Sequence, residues 1–494
     1  MNLTKFFLDQ HGCAKNQVDG ELIITHLVSL GLEQTYNPEE AEYIIINSCG
    51  FIESAKKESL DAVYSARDEY PNAKIILAGC LSERYAEIFE ESLPEVDGIF
   101  GNGKIDSIKK VIADIQNKNR SVVVEPQEGV SCGERRTFLS FRGSAFVKIT
   151  EGCSNHCSFC AIPLIRGELR SRKADDIVEE IENLVAKGIK EINLIGQDLA
   201  AYGTGFSDNV FGTGRTSLPI VSEMGSSFET DEKSGLALLL EKISKIEGDF
   251  IVRLLYIHPD HFNKDILPIM KSDNRFLPYF DIPFQSGDDK IIKAMNRIGS
   301  SKNYISLVEE IKSVFPEAVL RTTFLTGFPG EDDCAANNTK EFLMNIQSAW
   351  SGCFSYSREE DTPAYDMKKR VSPKVAQKRA DTLCEIQSEI TKSFLKSHIG
   401  KEYDILIEEI IEGEDGLAIG RAWFQAPDVD GSVVVRYEKN IPEQNDAVQC
   451  GRFVRVKIET ASDVDLNGLF ICDSEKNSSS YDSELKFAPE IQNK

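Results

Sequence analysis

The sequence has no run of about 18 apolar residues, so nothing in it reads as a membrane-crossing helix. Nothing near its start reads as a secretory leader. Phe6-Phe7-Leu8 is too short an apolar core and is followed by Asp9. Positive charge is in deficit: 56 Lys and Arg stand against 80 Asp and Glu, a net charge of −24. That balance disfavours non-specific attraction to nucleic acid or to an anionic membrane. The six histidines form no HxxxH pair, which argues against a helix-borne zinc site. Gly327-Phe-Pro-Gly330 is not followed by Lys-Ser or Lys-Thr, so it is not a phosphate-binding loop. Cysteine, by contrast, is plentiful. Twelve thiols without an export signal read as a reduced cytoplasmic protein with metal-bound thiols, not a disulfide scaffold.

Three of those thiols are tightly grouped. Residues 153–160 read Cys-Ser-Asn-His-Cys-Ser-Phe-Cys, directly after the apolar run 145–150. A closed zinc or iron–sulfur site takes four protein ligands. Three thiolates can cap three irons of a [4Fe–4S] cube and leave the fourth iron open to a small molecule. The amino and carboxylate groups of S-adenosylmethionine suit that vacancy. One electron from the cluster can then break a carbon–sulfur bond and release a carbon radical. The alternative is a zinc knuckle with His156 as fourth ligand. No matching CxxC or HxxxH follows nearby, and His156 reads as a bystander.

The first hundred residues alternate strand patterns (5–8, 43–47, 74–78) with helix patterns (19–30, 54–67, 83–91). This predicts a parallel α/β domain of flavodoxin or Rossmann type over residues 1–120. Ligands of such sheets gather beyond the carboxyl ends of the strands. Cys13, Cys49 and Cys80 fall at three such ends, each beside a glycine (Gly12, Gly50, Gly79) that lets backbone approach a bulky ligand. They predict a second three-thiol cluster; three buried structural cysteines are the alternative. Residues 121–144 read as a linker with a short strand at 122–124. Over 145–398 the βα rhythm resumes, with strands at 146–149, 191–195, 250–256, 278–283, 319–325 and 353–356. Six parallel strands predict a complete or partial barrel, with residues 153–160 at the carboxyl end of the first, where barrel active sites lie.

The polar stretch 205–234 reads as a mobile surface insertion, and 374–397 as a long amphipathic helix. Residues 399–472 carry short strands at 403–408, 417–422, 432–436 and 453–460, which predicts a small antiparallel barrel. Residues 473–494 are rich in Ser, Glu and Lys and are expected to be disordered. Cys132, Cys334, Cys353, Cys384, Cys450 and Cys472 lack clustered spacing and are expected as buried thiols.

Gly12-Cys-Ala-Lys-Asn-Gln-Val-Asp19, Asn47-Ser-Cys-Gly-Phe-Ile52 and Glu151-Gly-Cys-Ser-Asn-His-Cys-Ser-Phe-Cys160 together resemble the radical-SAM methylthiotransferase family. Ile162-Pro-Leu-Ile-Arg-Gly167, Arg170-Ser-Arg172, Ile195-Gly-Gln-Asp198, Gly327-Phe-Pro-Gly-Glu331 and Ala426-Pro-Asp-Val-Asp-Gly431 agree with it. The match keeps family order from Thr4 to Phe470. The resemblance implies an N-terminal methylthiotransferase domain, a radical-SAM barrel and a C-terminal TRAM domain. It implies two [4Fe–4S] clusters and S-adenosylmethionine. The cluster on Cys153, Cys157 and Cys160 would be catalytic, cleaving S-adenosylmethionine to a 5′-deoxyadenosyl radical. The cluster on Cys13, Cys49 and Cys80 would hold or supply sulfur, which a second S-adenosylmethionine methylates. An unactivated C–H becomes C–S–CH₃, with a reductant such as flavodoxin or ferredoxin and an exogenous sulfur donor.

Two branches of that family differ in substrate: an adenosine beside the tRNA anticodon, or the β-carbon of an aspartate in a small-subunit ribosomal protein of the decoding centre. Lys15 and the 426–431 stretch resemble the protein-modifying branch; Ser286 after Gln285 resembles the tRNA branch. Residues 401–471 hold seven basic and fifteen acidic residues, a net of −8. An RNA grip should be basic, whereas an acidic face suits a basic ribosomal protein. A ribosomal-protein partner is therefore expected, and stable tRNA binding is not. Four further cofactor-binding candidates follow. Gln197 and Asp198 end a strand beside the barrel cysteines, and either reach cofactor or cap the next loop. Arg166 pairs either with a carboxylate of cofactor or substrate, or with a structural partner. Phe159 either lines the adenine site or packs.

Overall fold

Ile- and Leu-rich runs set the first sheet. In the computed structural model, which describes residues 4–204, 210, 233–413, 416–474 and 486–487, six strands lie in one parallel sheet. They are β1 (Lys5–Gln10), β2 (Glu33–Gln34), β3 (Tyr43–Ser48), β4 (Lys74–Gly79), β5 (Gly98–Phe100) and β6 (Ser121–Val123), ordered β2-β1-β3-β4-β5-β6. β3 is buried along its whole length, as a strand covered on both faces must be. Helices α1 (Ala14–Ser29), α2 (Glu53–Glu69), α3 (Cys80–Ser92) and α4 (Ile108–Gln116) make the crossovers that parallel pairing requires. In α4 the buried residues are Ile108, Val111, Ile112 and Ile115, one apolar stripe at helical spacing. The short strand expected at 122–124 is present as β6, and it belongs to the first sheet: Ser121–Val123 pairs with Gly98–Phe100, so the sheet runs past residue 120.

Next come β7 (Thr137–Phe138), β8 (Ser144–Lys148), β9 (Thr150–Glu151), β10 (Arg170–Ser171), β11 (Glu191–Ile195), β12 (Ile251–Leu254), β13 (Phe276–Asp281), β14 (Val319–Thr326) and β15 (Trp350–Ser355). β8 and β11 to β15 form a second parallel sheet in chain order. Among the described residues its two edges, β8 and β15, do not pair, so this is a partial barrel. The helix Pro373–Lys396 packs on β14 and β15.

The last domain is a closed barrel of β16 (Glu402–Ile410), β17 (Leu417–Arg421), β18 (Val433–Arg436), β19 (Phe453–Ala461) and β20 (Leu466–Asp473), ordered β16-β17-β18-β20-β19. The sequence reading expected four antiparallel strands. A fifth, β20, is present and runs parallel to β18, with Val433 opposite Leu466. Strand direction cannot alternate all the way round a closed ring of odd number, so one parallel pair is forced.

One apolar core begins at Phe6 and Ile24 in the first domain, passes Phe146 and Trp350, and ends among Ile405, Val433 and Val454 in the last. The three units are thus packed together. β21 (Lys486–Phe487) pairs with β7, and Phe487 stacks on Phe138 with ring centroids 5.7 Å apart. Those two residues correct the expectation of a wholly disordered tail. The rest of the tail beyond Ser474 lies outside the described residues, as does the 205–234 stretch except for Val210, Lys233 and Ser234. A further correction concerns the unclustered thiols. Cys132, Cys334, Cys384 and Cys472 are exposed, and Cys353 and Cys450 half-buried; of the six, Cys353 on β15 packs against the barrel core. Among the described residues no helix is long and apolar enough to cross a membrane.

Candidate active site

The barrel thiols occupy a single loop. β9 pairs antiparallel with β10, and the chain turns at Gly152. There φ is +75°, and an added Cβ would lie 2.2 Å from the Glu168 carbonyl oxygen, so only glycine fits. The Cys153 N–H donates to the Gly167 carbonyl (3.1 Å) and the Cys160 N–H to that of Cys157 (2.9 Å), folding the thiols toward one another. Cys157 is buried and the other two half-buried. Burial raises all three thiol pKa values, that of Cys160 to about 12. Iron would have to displace those protons. His156 is exposed, its ring 3.5 Å from Glu168, and is not gathered with the thiols.

Two histidines that sequence reading passed over complete this wall. His258 Nδ1 accepts from the Asp260 N–H (3.3 Å), so Nε2 carries the proton and faces Cys157 Sγ at 3.8 Å. Burial, then the nearby Arg297 charge, lowers the His258 pKa to about 3 and keeps the ring neutral. His261 Nδ1 lies 2.7 Å from Asp198 Oδ2. Asp198 also accepts from Asn155 (3.0 Å), from the Ala200 N–H (3.0 Å) and from the His258 N–H (3.3 Å). Burial opposes its ionisation, but His261 and these donors hold its carboxyl well below the usual range. The signal was legible: His258-Pro-Asp-His261 follows β12, at a carboxyl end of the barrel.

Gln197 follows β11, and among the described residues its buried Oε1 has no hydrogen-bond partner, nor has Thr150 Oγ1. Orphaned acceptors at a carboxyl rim fit a bound molecule that brings donors. Phe159 is half-buried and packs against a small apolar cluster that includes Ile291, Met295 and Phe328.

The second trio comes from three loops. Cys13 caps α1 after β1, Cys49 follows β3, and Cys80 opens α3 after β4. Glycine does allow close approach here, but between loops. A Cβ on Gly12 would sit 3.2 Å from Cys49 Cβ, and one on Gly50 2.6 Å from the Cys80 carbonyl oxygen. Asn16 fastens the loops by donating to the carbonyls of His11 (2.8 Å), Asn47 (3.1 Å) and Ser48 (3.2 Å). Burial pushes the Cys49 thiol up to about 12. At Cys13 the surrounding protein also pushes upward, but Lys15 and the Asn16 N–H outweigh it and the thiol pKa is lowered.

Arg166 joins the two trios. It ends α5 (Ile162–Arg166), just beyond Cys160, and is fully buried. One guanidinium nitrogen pairs with Asp19 (2.6 Å) of α1 and with Glu151 of β9; the other lies 3.1 Å from Cys80 Sγ. Of the two readings of Arg166, the geometry fits the structural ion pair: its carboxylate partners are the protein's own, and the sulfur it faces belongs to the first domain. Lys148 adds a second cation on Asp19 (2.6 Å). Cys80 itself packs against Ala161 and Ile165, and Ala161 directly follows Cys160. The two thiol sites are therefore neighbours across one domain boundary.

Residues 5–101 match the uncharacterized protein family UPF0004, residues 147–343 the radical SAM superfamily, and residues 399–471 the TRAM domain. The chain is 49% identical over 481 residues to the ribosomal protein uS12 methylthiotransferase RimO of Treponema denticola, covering 94% of this chain and 100% of that one. It is 35% identical to the RimO protein of Carboxydothermus hydrogenoformans, covering 95% and 100%. Among solved structures, the radical S-adenosylmethionine methyltransferase TsrM of Kitasatospora setae superposes with a TM-score of 0.50 at 12% identity, covering 74% of this chain and 77% of that one; this likeness is one of fold alone. The family uses S-adenosylmethionine and [4Fe–4S] clusters, and both three-thiol sites are built for such a group. With two adjoining sites of three thiols, one of them on a radical-SAM barrel, and near-complete coverage of these relatives, the chain belongs to the RimO family of radical-SAM methylthiotransferases.

Proposed function

We propose that this chain inserts a methylthio group at the β-carbon of an aspartate in ribosomal protein uS12. The observation that carries the reading is the adjacency of the two thiol trios, with Cys80 packed against the residue after Cys160. Cys153, Cys157 and Cys160 would hold the cluster that meets S-adenosylmethionine; Cys13, Cys49 and Cys80 would hold the cluster that presents sulfur. Loaded, these groups supply a carbon radical, sulfur and a methyl group, the chemistry an unactivated C–H requires. The protein's part is placement. The Gly152 turn and the barrel rim hold the first trio, Gln197 Oε1 and Thr150 Oγ1 offer free acceptors to cofactor, and Asp198 fixes His261 and the backbone at His258. Arg166, with Asp19 and Glu151, locks the second trio against the first.

The domain frame proposed is a first domain extended from 1–120 to include β6, then 145–398 and 399–472. The acidic last domain suits a basic ribosomal protein. The reaction is assigned to the cytoplasm, with a flavodoxin- or ferredoxin-type reductant and an exogenous sulfur donor. The test is mass spectrometry of anaerobically reconstituted enzyme given dithionite, sulfide and S-adenosylmethionine, with either uS12 or tRNA. A gain equal to SCH₃ replacing H on one uS12 aspartate is expected; a gain on tRNA, or on neither, overturns the proposal.

A further inference from the structure

The cations around the two thiol sites almost all have a named ion-pair or hydrogen-bond partner. Lys148 and Arg166 are paired with Asp19 and Glu151. Arg321 lies 3.4 Å from both Asp281 and Asp430. Arg297 donates to the carbonyls of Pro283 and Phe284. Lys15 is the exception. It is 7% exposed, and its ammonium lies 3.2 Å from the centroid of the Tyr256 ring. Among the described residues its Nζ makes no hydrogen bond or ion pair. A buried ammonium that rests only on an aromatic face keeps donors unused, and leaving it so is costly.

Its placement says what would use those donors. Lys15 stands two residues from Cys13, at the start of α1, and reaches out of the first domain. Tyr256, beneath it, follows β12 at the carboxyl rim of the barrel. The Tyr256 N–H donates to Asp281 (3.1 Å), Asp281 faces Arg321, and Arg321 faces Asp430 of the third domain. The ammonium therefore sits where all three domains meet, beside the sulfur-presenting site and at the mouth of the radical site. A substrate carbon must reach this same junction.

We propose that Lys15 reads the carboxylate of the target aspartate, and so sets the enzyme's preference for aspartate over its uncharged amide. This rests on the function proposed above and deepens it. The aspartate β-carbon is bonded directly to the carboxyl carbon. A sulfur delivered to that β-carbon from the Cys13, Cys49 and Cys80 site brings the carboxylate beside the same site, where Lys15 is the buried cation without a carboxylate partner. Pairing is a charge-assisted hydrogen bond and needs no covalent step. The competing role is charge balance, Lys15 merely offsetting the thiolates of Cys13 and Cys80.

The two roles separate in binding. Equilibrium affinity is measured between cluster-loaded enzyme and recombinant uS12 carrying either the native aspartate or asparagine at that position. Wild-type enzyme is expected to prefer aspartate by at least about tenfold, in keeping with a charge-assisted pair. Lys15→Met and Lys15→Gln should bring that ratio near one while keeping full iron content, and Lys15→Arg should restore much of it. The inference is overturned if wild-type enzyme shows no preference, or if either neutral variant keeps it. It is also overturned if both neutral variants lose the iron of the first site, since the lysine then serves the cluster. Wild-type enzyme that modifies uS12 while lacking a Lys15-dependent preference sinks this inference alone; wild-type enzyme that never modifies uS12 sinks the function beneath it.

Discussion

The two thiol sites solve one problem in opposite ways. Cys153, Cys157 and Cys160 share eight residues of one loop, and local backbone bonds from Cys153 and Cys160 shape it. Cys13, Cys49 and Cys80 come from three loops that only the sheet brings together, clasped by Asn16 and by glycines where any Cβ would crowd the next loop. Their surroundings differ too. The barrel site is walled by neutral His258, by the Asp198 carboxylate and by the Arg297 cation beside Cys157, while the first site faces the cations Arg166 and Lys15. A site held by one loop tolerates changes elsewhere in the fold; a site assembled across a sheet and a domain boundary does not.

The largest expected effect comes from removing one thiol from each site. Cys157→Ala should abolish reductive cleavage of S-adenosylmethionine. Cys49→Ala should leave that cleavage measurable and stop methylthiolation. Full product formation by Cys49→Ala would mean the two sites do not divide the work. Next is Arg166→Met. It leaves two buried carboxylates, Asp19 and Glu151, to share Lys148 alone, and one-sided loss of a buried ion pair costs up to about 3–5 kcal/mol. Chemical denaturation should show that loss, and iron analysis should show the first site depleted before the barrel site. Equal retention in both sites would remove Arg166 from its role as clasp.

The sequence made the barrel site legible because its spacing is local. The first site was legible at one remove: three cysteines at equivalent strand ends converge only if the strands are parallel neighbours, which the βα alternation implied and β1, β3 and β4 satisfy. The partners of Arg166 were out of reach, since Asp19 is 147 residues away along the chain. Single-residue pairing is set by the packing of domains, not by pattern. β20 was missed for a different reason. Leu466–Asp473 alternates weakly, with burial only at Leu466 and Gly468, so the period-2 signal is faint.

A finer test of the contrast concerns His258. Hydrogen bonds to cluster sulfurs tune reduction potential, so His258→Phe should make the barrel cluster harder to reduce and leave the first cluster alone. Potentiometric titration followed by electron paramagnetic resonance reads both. An unchanged barrel potential would reduce His258 to packing.

The smallest effect lies at the junction of the barrel and the last domain. Glu191 pairs with Arg253 (2.9 Å) and Arg421 (2.5 Å), while Glu408 has Arg421 alone (2.6 Å). Burial raises the Glu408 pKa to about 7 despite Arg421. The unfolded chain gives up this proton near pH 4.5, while the folded chain holds it to about 7. Its contribution to stability is therefore complete below that window and falls as pH rises through it. Thermal melts of wild-type enzyme should lose stability from this source between those values, and Glu408→Gln should flatten the slope. An identical slope in both would place the titration elsewhere.

Everything distinctive about the pair of sites depends on each holding a four-iron cluster. Iron and acid-labile sulfide, counted on enzyme purified and kept without oxygen, test that most directly. About eight of each per chain are expected, falling to about four when either trio is replaced by alanine, as two independent four-iron centres require. A wild-type count near four, or a loss of all iron from a single-trio replacement, would contradict it.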